Sequence, residues 1–203
     1  MFNKIFLYIA VVSLWCCMEV TAQSVYTNRE NVGIQVMGSV MNTSNDLSGS
    51  SIGMGLSFNR NVDLVFSITD FEGNPGYHGA YEVVGGGIGF YPIQQWDEHP
   101  ITVGVFFSGA RSTLSGANGW TFLVGSGITR EVMFSEQLSF YPAASFSYAP
   151  FVSNRGDGSS FFSLESALSY NFANVINLVF SPSLNVALNS NYSTLGLSFG
   201  IVL

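Results

Sequence analysis

From Val32 to Leu203, apolar and polar side chains alternate with a period of two. Successive side chains on a strand point to opposite faces, whereas a helix repeats about every 3.6 residues. A chain patterned in this way builds strands, each with one apolar face. Ten segments carry the pattern: Val32–Met41, Ser51–Asn59, Val62–Thr69, Tyr81–Tyr91, Ile101–Ala110, Trp120–Thr129, Leu138–Ala149, Phe162–Phe172, Ile176–Leu188 and Thr194–Leu203. In the first, Val32, Ile34, Val36 and Val40 oppose Gly33, Gln35, Met37 and Ser39. In the last, Leu195, Leu197, Phe199, Ile201 and Leu203 oppose Thr194, Gly196, Ser198 and Gly200.

The polarity of the two faces decides what such strands can build. One face carries Leu, Ile, Val and Phe. The other carries chiefly Gly, Ser, Thr, Asn and Ala, which are too small to fill a dense core. A soluble sandwich would hold the large residues inside and show water a charged surface. Here charged residues make up only 9% of the chain, and Lys4 is its single lysine. Ordinary soluble domains are roughly 25% charged. Beyond the first residues no segment holds the 18 or so consecutive apolar residues of a membrane-spanning helix. Large residues outward and small polar residues inward is the arrangement of a barrel in lipid, where closure pairs every backbone group. The expected fold is all-β: a closed antiparallel up-and-down transmembrane β-barrel of about ten strands. Eight is the alternative if one hairpin is lost. The segments match the roughly 9–11 residues that a tilted strand needs to cross a bilayer.

The N-terminus reads as an export signal. Lys4 precedes an apolar run from Ile5 to Cys17, and Val20-Thr21-Ala22 precedes a cut that would leave Gln23 first. Residues 1–22 are expected to be cleaved, and 23–203 to form one barrel domain. Cys16 and Cys17 open a lipoprotein alternative, which the bulky Trp15 fits badly. Both cysteines leave with the leader, so no disulfide framework or thiolate metal site is expected.

With the N-terminus in the periplasm, the connections Asn42–Ser50, Glu72–Gly79, Arg111–Gly119 and Phe151–Ser160 would face outward. Those at Asn59–Asn61 and Ala173–Val175 would be tight inner turns, as barrels of this kind show. The long stretch Gln94–Pro100 fits this scheme poorly. Charges such as Asp70, Arg111 and Arg130, and aromatics such as Phe58, Trp96, Trp120, Tyr170 and Phe172, gather near segment ends. Those positions belong to the two interfacial girdles.

The chain as a whole resembles the small outer-membrane β-barrel proteins of Gram-negative bacteria. The resemblance rests on pattern, including the alternating C-terminus Leu195–Leu203, which looks like the family's insertion signal. Many members end in an aromatic residue, and this chain ends in Leu203. The resemblance implies the outer membrane as location and its lipid as partner.

Candidate functional residues are few. Glu165 is the one charge in the middle of a segment, on the polar face, and an ionisable group at membrane depth is a functional candidate. A structural carboxylate bonded to Ser, Tyr or an arginine is the alternative of equal weight. Asp63, Gln35, Asn171, Asn177 and Asn185 would extend a hydrophilic lining. His78 and His99 stand alone in connections, too isolated for a catalytic dyad or a metal site. Gly85-Gly86-Gly87-Ile88-Gly89 lacks the following helix of a phosphate loop and reads as strand glycine. Arg155-Gly156-Asp157 is an adhesion-type tripeptide whose plain reading is a turn. A net charge of −7 argues against nucleic acid as partner. No cofactor is expected. The first functional expectation is a narrow passive pore for small solutes. The alternative is a non-conducting structural, anchoring or adhesin-like barrel, with an envelope protein as possible partner. A lipid-modifying enzyme comes last, because its catalytic groups are missing.

Overall fold

The computed structural model describes residues 32–44, 47–59, 61–73, 81–95, 99–114, 117–152, 158–172, 176–189 and 192–203. The expected leader and its cut lie outside these residues, as do Trp96, His78 and the Arg155-Gly156-Asp157 tripeptide. Among the described residues eleven strands are formed: β1 (Val32–Thr43), β2 (Leu47–Phe58), β3 (Val62–Gly73), β4 (Tyr81–Ile93), β5 (Thr102–Leu114), β6 (Ala117–Thr129), β7 (Val132–Met133), β8 (Leu138–Val152), β9 (Ser159–Phe172), β10 (Ile176–Ala187) and β11 (Ser193–Val202). Each long strand pairs antiparallel with its chain neighbours. β1 pairs with β11 and β6 with β8, which closes the sheet into a barrel of ten long strands. The two-residue β7 is an addition that pairs with the start of β8. Reciprocal bonds from Ile34 N to Leu203 O (3.0 Å) and from Leu203 N to Ile34 O (2.8 Å) finish the closing seam. That rim, which carries both chain ends, is called the terminal rim below, and the opposite one the far rim.

The strands are 10–15 residues long apart from β7. At about 3.3 Å per residue, a 12-residue strand runs roughly 40 Å, and a tilt near 40° lets it span about 30 Å. Among the described residues no helix is long and apolar enough to cross a membrane; the strands are what can cross it. Their outward positions form a continuous apolar belt that includes Val36, Ile52, Phe66, Ile88, Phe107, Val124, Phe146, Leu164, Phe180 and Phe199, all exposed. Exposing this many large side chains to water would be very costly, whereas in hydrocarbon the same surface is favourable. Aromatic contacts knit the belt: the rings of Phe180 and Phe199 lie 4.9 Å apart, and those of Phe107 and Phe122 6.1 Å. At the far rim Trp120 pairs across the ladder with Arg111, and Asp70 with Glu82. Charge therefore begins where the belt ends.

The strands run further than the alternating segments toward the far rim. β5 and β6 leave only residues 115–116 between them, and β1 and β2 only 44–46, where loops of nine residues were expected. Gly, Ser and Asn read as loop residues, but here they continue the ladder. Connection lengths therefore do not distinguish the two rims as expected. At the terminal rim, the Asn59–Asn61 turn is tight: Asn59 adopts a left-handed conformation (φ 49°), and Asn61 N bonds Phe58 O at 3.0 Å. Asn tolerates that conformation better than most residues. The Gln94–Pro100 stretch costs no strand: β4 and β5 stand on either side of it, and Gln95 N bonds Thr102 Oγ1 of β5 at 3.1 Å.

Glycine on the inward face lets strands and rings come close. A Cβ on Gly87 would stand 2.9 Å from the Phe107 carbonyl, which gives the run in β4 a steric explanation. A Cβ on Gly125 would clash with the Phe106 ring and stand 2.7 Å from the Phe146 carbonyl. The backbone carbonyl cannot swing away as a flexible side chain would. Gly125→Ala is therefore expected to destabilise the barrel by about 1–3 kcal/mol. Urea titration in lipid vesicles reads this, and an unchanged midpoint would refute it.

Candidate functional site

Ring closure of the described strands encloses a lumen, and its wall is set by strand parity. All six residues expected to line it occupy inward positions, yet they do not form one site. Gln35, Asp63, Asn171 and Asn177 lie toward the terminal rim, Glu165 at mid-depth, and Asn185 in the far half. Asn171 and Asn177 face each other across the β9–β10 ladder. Asp63 faces Ser57 across β2–β3, and the hydroxyls of Tyr91 and Ser57 bond its carboxylate. Gln35 covers Gly55, where a Cβ would come within 2.5 Å of its amide nitrogen. Ser181 Oγ donates to Glu165 Oε1 at 2.8 Å, and Ser163 Oγ bonds Asn185 Oδ1.

The expectation that the inner face is too small to form a dense core is corrected by the structure. Met37, Met41, Val65, Phe71, Val83, Tyr91, Leu123, Tyr141, Phe161 and Val179 also point inward and are buried. Gln35 and Asp63 are buried among them, and Phe71, Leu123 and Asp63 expose no more than a trace of surface. On an inward face, burial means that no water-filled space borders the side chain. Toward the terminal rim, Tyr91 lies over Gly104, where a Cβ would be 2.5 Å from its ring, and Tyr141 packs with Ala167, Val179 and Val202. Toward the far rim, Phe71 and Met41 fill the space over Gly49. Between these layers Ala143, Ser145, Ser163, Glu165 and Ser183 are only partly buried, so they border the space that remains.

A second group, at the terminal rim, was not singled out as a site in the sequence. Glu131 Oε1 accepts from Ser139 Oγ at 2.6 Å and Tyr141 Oη at 2.8 Å. The Gln95 side chain clasps the Glu131 backbone, donating to its carbonyl at 3.0 Å and accepting from its N–H at 2.7 Å. Gln94 Nε2 bonds Asn61 Oδ1, and Asn171 N bonds Gln137 O at 2.7 Å. Four connections and strand ends are thereby tied around one rim. Inward parity in the seventh segment was the available signal for Tyr141; nothing local pairs Gln95 with Glu131. His99 is exposed, and among the described residues no group of three His, Cys, Asp or Glu could hold a metal.

Neither a protein-family model nor a curated protein matches the chain in sequence. Its structure is similar to the translocator domain of the autotransporter NalP from Neisseria meningitidis, at 10% identity and a TM-score of 0.56, over 91% of this chain and 92% of that one. It is also similar to the β domain of the Bordetella autotransporter BrkA, at 10% identity and a TM-score of 0.52, over 85% and 98%. An outer membrane channel from Pseudomonas putida F1 matches at 8% identity and a TM-score of 0.50, over 89% and 98%. At these identities the likeness is one of fold. With its apolar belt and inverted polarity, this chain has the transmembrane β-barrel fold of the bacterial outer membrane.

Proposed function

We propose that this protein is a closed, non-conducting outer-membrane barrel whose work is done at its rims and in its interior rather than by passive flow along its axis. The observation that carries this reading is the burial of Gln35, Asp63 and Tyr91 toward one rim and of Met41, Phe71 and Phe161 toward the other. A wet axial path would leave such inward groups exposed to water. A barrel of ten strands is only slightly wider than the eight-stranded size whose interior side chains fill. The rim-wide bonding through Gln95, Glu131 and Tyr141 supports the same reading, since it would hold the terminal layer in place. An anchoring or scaffolding role toward another envelope protein is the form it would take.

The narrow-pore alternative makes the opposite prediction, and one experiment separates the two. Refolded protein in a planar bilayer should give no discrete current steps above those of the lipid alone. Regular steps of uniform size from the wild-type chain would overturn the closed reading and favour the pore.

A further inference from the structure

Four prolines lie inside strands: Pro92 in β4, Pro142 and Pro150 in β8, and Pro182 in β10. Proline has no N–H to give a ladder and is normally confined to edges and bulges. A closed barrel has no edge, so each of these needs an accommodation. Pro92 falls within the register shift between Phe90 and Ile93. Pro150 lies opposite the shift between Phe122 and Val124. Pro142 stays paired with Ser166, and its carbonyl accepts from Arg130 N at 3.2 Å and Thr129 Oγ1 at 3.1 Å.

Pro182 differs from the rest. The β9–β10 ladder runs from Ile176↔Phe172 to Phe180↔Leu168 and resumes at Ser183↔Glu165 in unchanged register. No bulge absorbs the proline; the ladder has a gap at Ser181 and Pro182. On the lipid side, Ser166 of β9 lies between Pro142 of β8 and the gap, with Leu164, Leu168 and Phe180 exposed around it. Hydrocarbon offers no substitute for a missing backbone bond. The seam is therefore weakest at mid-strand, where the bilayer is driest.

The lumen side of this gap is the partly open middle layer. Ser181 donates to Glu165 beside the gap, and Ala143 and Ser183 flank Glu165 across the two ladders. Below this layer lies the Tyr141, Ala167, Val179 and Val202 cluster, and above it Ser147, Phe161 and Ala187 are buried. Access along the axis is thus obstructed in both directions, while the wall beside Glu165 lacks part of its bonding.

We infer that the β9–β10 seam at Pro182 is a side entrance from the bilayer to a binding site at Glu165. Its ligand is an amphiphile dissolved in the membrane, with a hydrogen-bond-donating amine head. The carboxylate of Glu165 and the hydroxyls around it accept such a head, and the tail stays with Leu164, Leu168 and Phe180.

Carbodiimides of opposite solubility test the route on the refolded protein in phosphatidylcholine vesicles. Dicyclohexylcarbodiimide, which partitions into bilayers, should modify Glu165, as read by peptide mass spectrometry, and a water-soluble carbodiimide should not. Pro182→Val returns an N–H to the ladder and should bring labelling near background; Pro182→Ala returns the same N–H if the valine variant does not fold. Dodecylamine should leave Glu165 unmodified, with neither the acylurea nor the dodecylamide found by mass spectrometry, and dodecyltrimethylammonium, which has no N–H to donate, should not protect it. Equal labelling by both reagents, labelling by neither, undiminished labelling in the folded proline variants, or failure of dodecylamine to protect would each overturn the inference. The water-soluble arm rests on the closed reading, which the conductance measurement tests by itself; if the wild-type chain conducts, the difference in dicyclohexylcarbodiimide labelling between wild-type and Pro182→Val still tests the side entrance.

Discussion

Phe66→Arg should destabilise the folded barrel by about 2–4 kcal/mol, the cost of a cationic side chain facing lipid near the bilayer midplane. Phe66 sits midway along β3 on the outward face and is 55% exposed. In a water-soluble protein an exposed phenylalanine could become arginine at little cost or with some gain, since surface substitutions usually fall within about 0.5 kcal/mol. The two environments thus predict clearly different results for one substitution. Denaturant titration in lipid vesicles reads it directly. A companion change at the far rim, Trp120→Arg, should cost less, because Trp120 pairs with Arg111 where the belt gives way to charge. Equal, negligible costs at both sites would contradict a lipid-facing belt.

Removing two phenol rings should turn a silent barrel into a leaky one. Tyr91 and Tyr141 are both buried in the layer toward the terminal rim, one over Gly104 and the other bonded to Glu131. The double variant Tyr91→Ala/Tyr141→Ala is expected to give current steps in a planar bilayer where the wild-type gives none. Each large-to-small change in a packed interior costs about 3–5 kcal/mol, so retained β-sheet content must be checked by circular dichroism. In a folded and conducting double variant, Glu165 faces the opened path together with Asp63 and Glu131, which lose their tyrosine partners. Adding Glu165→Gln should then lower cation preference, read as a smaller reversal potential across a salt gradient. A folded double variant that stays silent would place the closure elsewhere, with Met41, Phe71 and Phe161 as the next candidates.

The balance of lumen residues explains why the interior was harder to anticipate than the belt. Val36, Ile52 and Phe66 are large, frequent and regularly spaced, so alternation alone assigns them to lipid. The inward positions look small at Gly53, Gly85 or Ser108, but Met37 and Leu123 stand mid-segment on the same face and are buried. Other large inward residues sit near strand ends or where alternation breaks. Phe71 and Phe161 lie just beyond the third and eighth alternating segments, where Gly, Ser and Asn suggested loops. Tyr141 is followed by Pro142, which obscures the strand reading. The same blind spot hid the far ends of β2, β5 and β6.

Strand number, the antiparallel up-and-down order and the outward belt follow from the chain itself, because each strand reports its own period and its own apolar face. The strand parity of Glu165, Asp63, Gln35, Asn171, Asn177 and Asn185 is equally local. What these residues meet is not local. Gln95 finds Glu131 thirty-six positions away, and the β9–β10 gap at Pro182 lies beside Glu165 through a register that two strands define together. Register, closure and the filling of the lumen are properties of strands paired around a ring. Only the tertiary structure could decide that Phe71, Leu123 and Tyr141 are buried on a face patterned chiefly with small residues.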